Sequence, residues 1–253
     1  MKFLKALELF EEILKNSQHS PDDQRSATIW KFSCDKFGPE NLNELIKLKK
    51  NNIGSEGVKA LADALCKNST LKTLKIKKKG IGSEGVKALA DALCKNSTLT
   101  SLDLQENHLG PEEGKALADA LCKNSTLTSL ELYENNLGSE GGKALVNALC
   151  KNSTLTSLIL WNNNLGSEGG KALADALCKN STLTSLDLYM IELGSEEGYN
   201  TLGSEGAKAL ADALCKNSML TSLDLSLNKL GSEGGKALAD ALLQELHADF
   251  FDF

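Results

Sequence analysis

The sequence predicts an α/β solenoid, with parallel strands on one side and helices on the other. The first observation is self-similarity: the block Leu99-Thr100-Ser101-Leu102-Asp103-Leu104 returns from Leu127, Leu155, Leu183 and Leu220, with weaker copies at Leu71 and near Asn43. The period is 28 residues, lengthened once to 37. The second observation is that apolar and polar residues alternate with period 2 in the first half of each unit, the signature of a short strand. The third is that Ala60, Leu61, Ala64 and Leu65 and their copies recur at i, i+3 and i+4, which gives a helix with one apolar stripe. Strand, helix and strand in so short a unit require parallel strands with the helices to one side.

Each unit reads L-x-x-L-x-L-x-x-N-x-L, then Gly-Ser-Glu-Gly, then Lys-Ala-Leu-Ala-Asp-Ala-Leu-Cys-Lys-Asn-Ser-Thr. This pattern resembles the 28-residue leucine-rich repeat of the ribonuclease-inhibitor type, which also occurs in NOD-like receptors and in Ran GTPase-activating proteins. The resemblance implies a right-handed horseshoe with strands on the concave face and helices on the convex face. It further implies that Asn51, Asn107, Asn135, Asn163 and Asn228 bury their amides against the turn after each strand; Lys79 and Ile191 depart from that column.

Ser55, Ser83, Ser139, Ser167 and Ser232 stand where helix N-caps are expected. Asn68 and its copies fall just past each helix, where a left-handed Asn is expected to close it. Seven units span residues 43–247, with a nine-residue insertion near 191–202. Solenoid ends need caps. Residues 1–42, with Phe3, Leu4, Leu7, Phe10, Ile13 and Leu14 at helical spacing and a second apolar set after Pro21, are expected to be a helical N-terminal cap. Leu242, Leu243 and Leu246 lead into residues 248–253, read as the C-terminal cap tail.

Composition excludes several classes. The net charge is −6, against the basic domain usual for a nucleic-acid binder. Of 28 basic residues only Arg25 is arginine, the side chain that reads phosphate and guanine bidentately. No nucleic acid and no membrane are therefore expected as partners. Glu8, Glu11 and Glu12 fall where a signal peptide would be apolar, so a cytoplasmic location is expected. Six of the seven Cys recur at one repeat position (Cys66, Cys94, Cys122, Cys150, Cys178 and Cys215), the expected place of small fillers beside Leu65 and its copies. Neighbouring helices lie too far apart for a disulfide ladder, and free thiols fit a reducing compartment. Five Asn-Ser-Thr sequons, at Asn68, Asn96, Asn124, Asn152 and Asn180, read as by-products of the helix end.

The helix halves barely vary, whereas residues around the strands do. Apolar strand residues face the core and the residues between them face the concave surface. Concentrated variation there predicts a recognition surface. It begins with Lys47, Lys75 and Lys77, continues with Asp103 and Glu131, and ends with Tyr133, Ile159, Trp161, Asp187, Tyr189, Met190 and Asp224. The lysines are expected to meet an acidic partner or to stand as a solvated, self-repelling end. Tyr133, Trp161 and Tyr189 are 28 residues apart and are expected to form a row of rings, the residue types enriched at interface hot spots. The insertion carries Tyr199 beside them, as a slippage product or a rim loop.

There is no phosphate loop, no H-E-x-x-H motif and no Cys/His metal spacing. Asp103 and Glu131 are expected on an open face, not in the apolar pocket that raises a catalytic carboxyl. The expectation is no catalytic residue, no metal, no cofactor and no enzymatic activity, in a monomeric module that binds a protein or peptide. The resemblance also implies an alternative, a GTPase activator like the Ran activators or the sensing part of a NOD-like receptor. The apolar tail Phe250-Phe251-Asp252-Phe253 departs from the acidic tail of the Ran activators.

Overall fold

The structure, a computed structural model, describes residues 54–77, 80–189 and 202–251, with the side chains of the last helix described through residue 243. The elements are α1 (Gly54–Lys67), β1 (Thr73–Lys75), α2 (Gly82–Leu93), β2 (Ser101–Asp103), α3 (Pro111–Leu121), β3 (Ser129–Glu131), α4 (Gly138–Leu149), β4 (Ser157–Ile159), α5 (Gly166–Leu177), β5 (Ser185–Asp187), α6 (Gly203–Leu214), β6 (Ser222–Asp224) and α7 (Gly231–Phe251). The six strands form one parallel sheet in chain order. Parallel strands sit about 4.8 Å apart, whereas packed helices need about 8–10 Å. The helical side is therefore the longer arc, and the strands line the concave side of an α/β solenoid, as expected.

Pairing joins equivalent residues of successive units: Leu74, Leu102, Leu130, Leu158, Leu186 and Leu223 stand side by side. The longer unit keeps this register, since Ser185 pairs with Ser222 as Ser157 pairs with Ser185. The leucine stripes of strands and helices merge into one continuous core. Burying each such side chain contributes roughly 1.5–3 kcal/mol.

Two asparagine ladders hold the turns. In the first, Asn163 Nδ2 donates to Leu160 O and, in the preceding unit, to Leu132 O, both at 2.9 Å. Its Oδ1 accepts from Asn135 N at 3.1 Å and Leu137 N at 3.4 Å. Asn107, Asn135 and Asn228 occupy the same place, all buried. Asn51, Lys79 and Ile191 lie outside the described residues.

The second ladder corrects an expectation. Asn68, Asn96, Asn124, Asn152, Asn180 and Asn217 do not adopt the left-handed conformation. Asn96 instead buries its amide, donating to Leu65 O at 2.9 Å and Asn68 O at 3.0 Å and accepting from Thr98 N and Leu99 N. One orphan carbonyl at the end of each of helices α1 to α5 is thereby satisfied by the next unit. Nδ2 of the sequon residues Asn96, Asn124, Asn152 and Asn180 is engaged in this way and turned into the chain.

The helix starts also differ from expectation. Gly138, Gly166, Gly203 and Gly231 take positive φ, and the helix begins at that glycine, so the following serine lies in the first turn. The residue ahead of it (Leu137, Leu165 or Leu202) accepts the first helical bond through its own carbonyl and makes no side-chain cap bond. Ser139 and Ser167 are thus not N-caps, and Ser55, Ser83 and Ser232 occupy the same first-turn position. In α3 the first turn is closed differently: Gly110 N donates to Glu113 Oε2 at 2.8 Å. Burial would raise the Glu113 carboxyl, but hydrogen bonds from Ser83 and the backbone hold it below the ordinary glutamate range.

Cysteine placement is corrected as well. None of the six described cysteines is in a disulfide; Cys66 and Cys94 pack partly against the core, but Cys122, Cys150, Cys178 and Cys215 are exposed at the helix ends. Before the exposed Cys122, Cys150 and Cys178, the buried Leu121, Leu149 and Leu177 already fill the interior.

The expected N-terminal cap, residues 1–42, and the first strand lie outside the described residues, as does most of the insertion. The last helix runs unbroken to Phe251, across the expected boundary at 247. Leu242 and Leu243 are 55% and 54% exposed, so these two side chains do not close the end. Leu220, Leu223, Leu225 and Leu230 are only partly buried, whereas Leu183, Leu186, Leu188 and Leu202 are buried.

Candidate protein-binding face

Strand pairing sorts the outward-facing residues into rows that run along the solenoid. The first is Thr73, Ser101, Ser129, Ser157, Ser185 and Ser222. The second is Lys75, Asp103, Glu131, Ile159, Asp187 and Asp224. Two residues further along each unit lie Lys77, Gln105, Tyr133, Trp161, Tyr189 and Ser226. The expected candidate residues fall in the second and third rows, apart from Lys47 and Met190, which lie outside the described residues together with Tyr199.

The ring row forms. Tyr133 and Trp161 stack with centroids 4.1 Å apart and planes 6° from parallel. Trp161 and Tyr189 meet edge to face at 6.1 Å and 85°. All three are half-buried, as is Ile159 beside them. The change from stacked to perpendicular leaves a rigid apolar shelf whose ring faces are not all used up within the chain.

At the lysine end, Lys75 and Lys77 turn toward a carboxylate of the next unit. Lys77 Nζ lies 2.7 Å and Lys75 Nζ 3.7 Å from Asp103 Oδ2. Asp103 is 0% exposed, so it is not on the open face expected of it. Its neighbour units explain this: long lysine side chains on one side and Glu131 and Tyr133 on the other roof it over. Its Oδ1 accepts from Gln105 N at 3.3 Å. Burial and the nearby Asp103 charge push the Glu131 carboxyl up, against the pull of Lys75 and Lys77. Burial pushes the Tyr133 hydroxyl up, with Lys77 opposing and the nearby acids adding to it.

The far end is different. Asp187 and Asp224 are neighbours in the second row. Asp187 Oδ1 accepts from Tyr189 N, and Asp224 Oδ1 accepts from Ser226 N, both at 2.9 Å. Burial raises the Asp187 carboxyl, and the Asp224 charge raises it further.

Beyond the ring row, the turns at one edge of the strands enclose an open basin of about 410 Å³ lined by Gly80, Glu106, His108, Glu134, Asn136 and Asn162. All six take positive φ. Residue-type patterns alone missed His108, Asn136 and Asn162; the signal available was that they flank the first asparagine ladder in every unit. Gln105, buried between Lys77 and Tyr133, was missed for the opposite reason, because a glutamine in an exposed row reads as solvated.

Among the described residues no group of three or more His, Cys, Asp or Glu is arranged to hold a metal ion. None of the described helices is long and apolar enough to cross a membrane.

A family model described as the TMOD/LMOD leucine-rich domain matches residues 78–197, and a leucine-rich-repeat model matches 44–62 and 216–239. The repeated units are leucine-rich repeats. No curated protein matches the chain. Among solved structures, the leucine-rich-repeat region is similar to one titled "Leiomodin-1 Actin-Binding Site 2", with 21% identity, a TM-score of 0.51, and coverage of 74% of this chain and 95% of that one. The tropomodulin C-terminal domain from Caenorhabditis elegans gives 16% identity and a TM-score of 0.50, covering 75% of this chain and 98% of that one. A chain of the yeast Rad7–Elc1 complex gives 19% identity and a TM-score of 0.55, covering 96% of this chain and 56% of that one. At these identities the likeness establishes the solenoid fold.

Proposed function

We propose that this chain is a non-enzymatic leucine-rich-repeat module that binds a protein or peptide on its concave strand face. The observation that carries the reading is the ring row Tyr133–Trp161–Tyr189, half-buried beside Ile159 on a face whose other described residues are polar. Aromatic side chains supply large contact area at little entropic cost, and a few such residues carry most of an interface's energy. The ribonuclease-inhibitor-like subtype belongs to this proposal, as do a cytoplasmic location, a monomeric state and the domain limits of 1–42, 43–247 and 248–253. The solved relative titled an actin-binding site favours actin as the first partner to try.

The test is a pull-down from cytosolic extract, with co-sedimentation on actin filaments beside it. It uses the full chain and a Tyr133→Ala, Trp161→Ala, Tyr189→Ala variant shown folded by circular dichroism. A partner kept by the parent and lost by the variant supports concave recognition. Equal retention by both proteins rejects the ring row as the docking site. Actin bound by the parent alone selects that partner.

A further inference from the structure

The second row holds an internal comparison. Asp103 and Asp187 occupy the same place in their units, yet only Asp103 has a cation, Lys77 at 2.7 Å from the preceding unit. Where Lys77 stands relative to Asp103, Trp161 stands relative to Asp187 and Tyr189 relative to Asp224. Aromatic rings have replaced the lysine, while the carboxylates have stayed. No ion pair is made by Asp187 or Asp224 among the described residues, and residues 190–201 contain no Lys, Arg or His. Two carboxylates therefore stand side by side next to a ring shelf, with no cation among the described residues to answer them.

Resting on the protein-binding reading, we propose that this end of the concave face takes an arginine- or lysine-bearing segment of a partner protein, its cation held by Asp187 and Asp224 and its stem laid on Trp161 and Tyr189. Lys77 against Asp103 is the chain's own copy of the ionic half of that contact. A guanidinium can meet carboxylates bidentately and stack on a ring face within about 6 Å. The partner's positive charge also relieves the like-charge contact between strands β5 and β6.

The probe is the peptide acetyl-Gly-Ser-Arg-Ser-Arg-Ser-Arg-Ser-Gly-amide, with the citrulline peptide as its uncharged equal. Binding to the full chain is followed by calorimetry at low and at physiological ionic strength. The arginine peptide is expected to bind, and the citrulline peptide at least about tenfold more weakly, because charged hydrogen bonds are lost. Asp187→Asn with Asp224→Asn is expected to weaken arginine-peptide binding by a similar factor while leaving the thermal midpoint no lower than the parent's. Lys115→Ala, on helix α3 of the opposite, convex side, is expected to leave binding unchanged. Acidification is expected to release the peptide as Asp187 protonates; Asp224 faces it from β6, while β4 offers only the uncharged Ile159 and Trp161.

No binding to the parent overturns the inference, as does equal binding of the citrulline peptide or equal binding by the Asn variant. If the ring-row variant loses a captured protein that the Asn variant keeps, concave recognition stands and the cation site falls.

Discussion

The asparagine ladders and the concave strand face are carried by the same units, yet they follow opposite rules. Asn107, Asn135, Asn163 and Asn228 in one ladder and Asn96 to Asn217 in the other repeat one side chain, because each amide must meet a fixed set of backbone groups in the unit before it. The second and third concave rows change side chain from unit to unit, because no backbone group of the neighbouring unit prescribes one residue type there. One system determines pitch and the other is free to meet a second molecule. The difference teaches where substitutions should unfold the chain and where they should only change what it touches.

The sharpest way to break the comparison is Asn163→Ala. It strips partners from buried backbone groups of two units, and an unsatisfied buried group costs about 1–3 kcal/mol, so a loss of roughly 3 kcal/mol is expected in urea melts. A loss below about 1 kcal/mol would mean that water replaces the amide.

Gly142→Val comes next. A Cβ there would run into Leu165 Cδ2, and overpacking costs about 1–3 kcal/mol. Val86 fills the matching position of α2, so the same urea melt read on Val86→Gly tests whether the cost belongs to the site and not to the residue type.

Lys77→Met is expected to cost about 1 kcal/mol. It removes the nearer cation from fully buried Asp103, but Lys77 is 37% exposed and Lys75 remains at 3.7 Å, so solvent and the second lysine soften the loss. Thermal unfolding of the single variant and of Lys77→Met with Asp103→Asn measures the coupling; a double variant no more stable than the single would remove the ion pair from the account.

The smallest expected effect is a pH dependence. The Asp187 carboxyl is raised in the folded chain, so it binds a proton more readily folded than unfolded. Its charge opposes folding above the raised folded value, and that penalty is relieved as pH falls from there toward the ordinary aspartate range. Asp224→Asn, which removes the adjacent charge, should flatten this part of the stability–pH curve, as followed by denaturant midpoints. Glu113, held low, acts with the opposite sign: its stabilisation is present above the unfolded glutamate value and lost as pH falls through the lowered one.

The leucine and asparagine periodicities were readable because each reports one rigid requirement: a stripe to bury, or a turn to close. The ring row was readable too, since 28-residue spacing in a register-locked parallel sheet forces Tyr133, Trp161 and Tyr189 together. What could not be read was the outcome of competition between neighbours. Asp103 looks exposed by alternation, but the reach of Lys75 and Lys77 across one strand, with Glu131 on the other side, buries it. Asn96 has the residue type of a left-handed helix end, but the next unit's amide meets the terminal carbonyls of the helix before it, so no left-handed turn is needed. Cys122 follows a leucine that already fills the core.

The 37-residue unit keeps its neighbours' strand register, and Asn217 still reaches Leu177 O and Asn180 O across it, at 2.7 and 3.2 Å. Added length at that edge therefore leaves the spiral's pitch unchanged. In evolutionary terms, the edge is a place where new sequence can arrive by duplication and be tried against other molecules without first solving a folding problem. Designed loops inserted there would inherit the same licence.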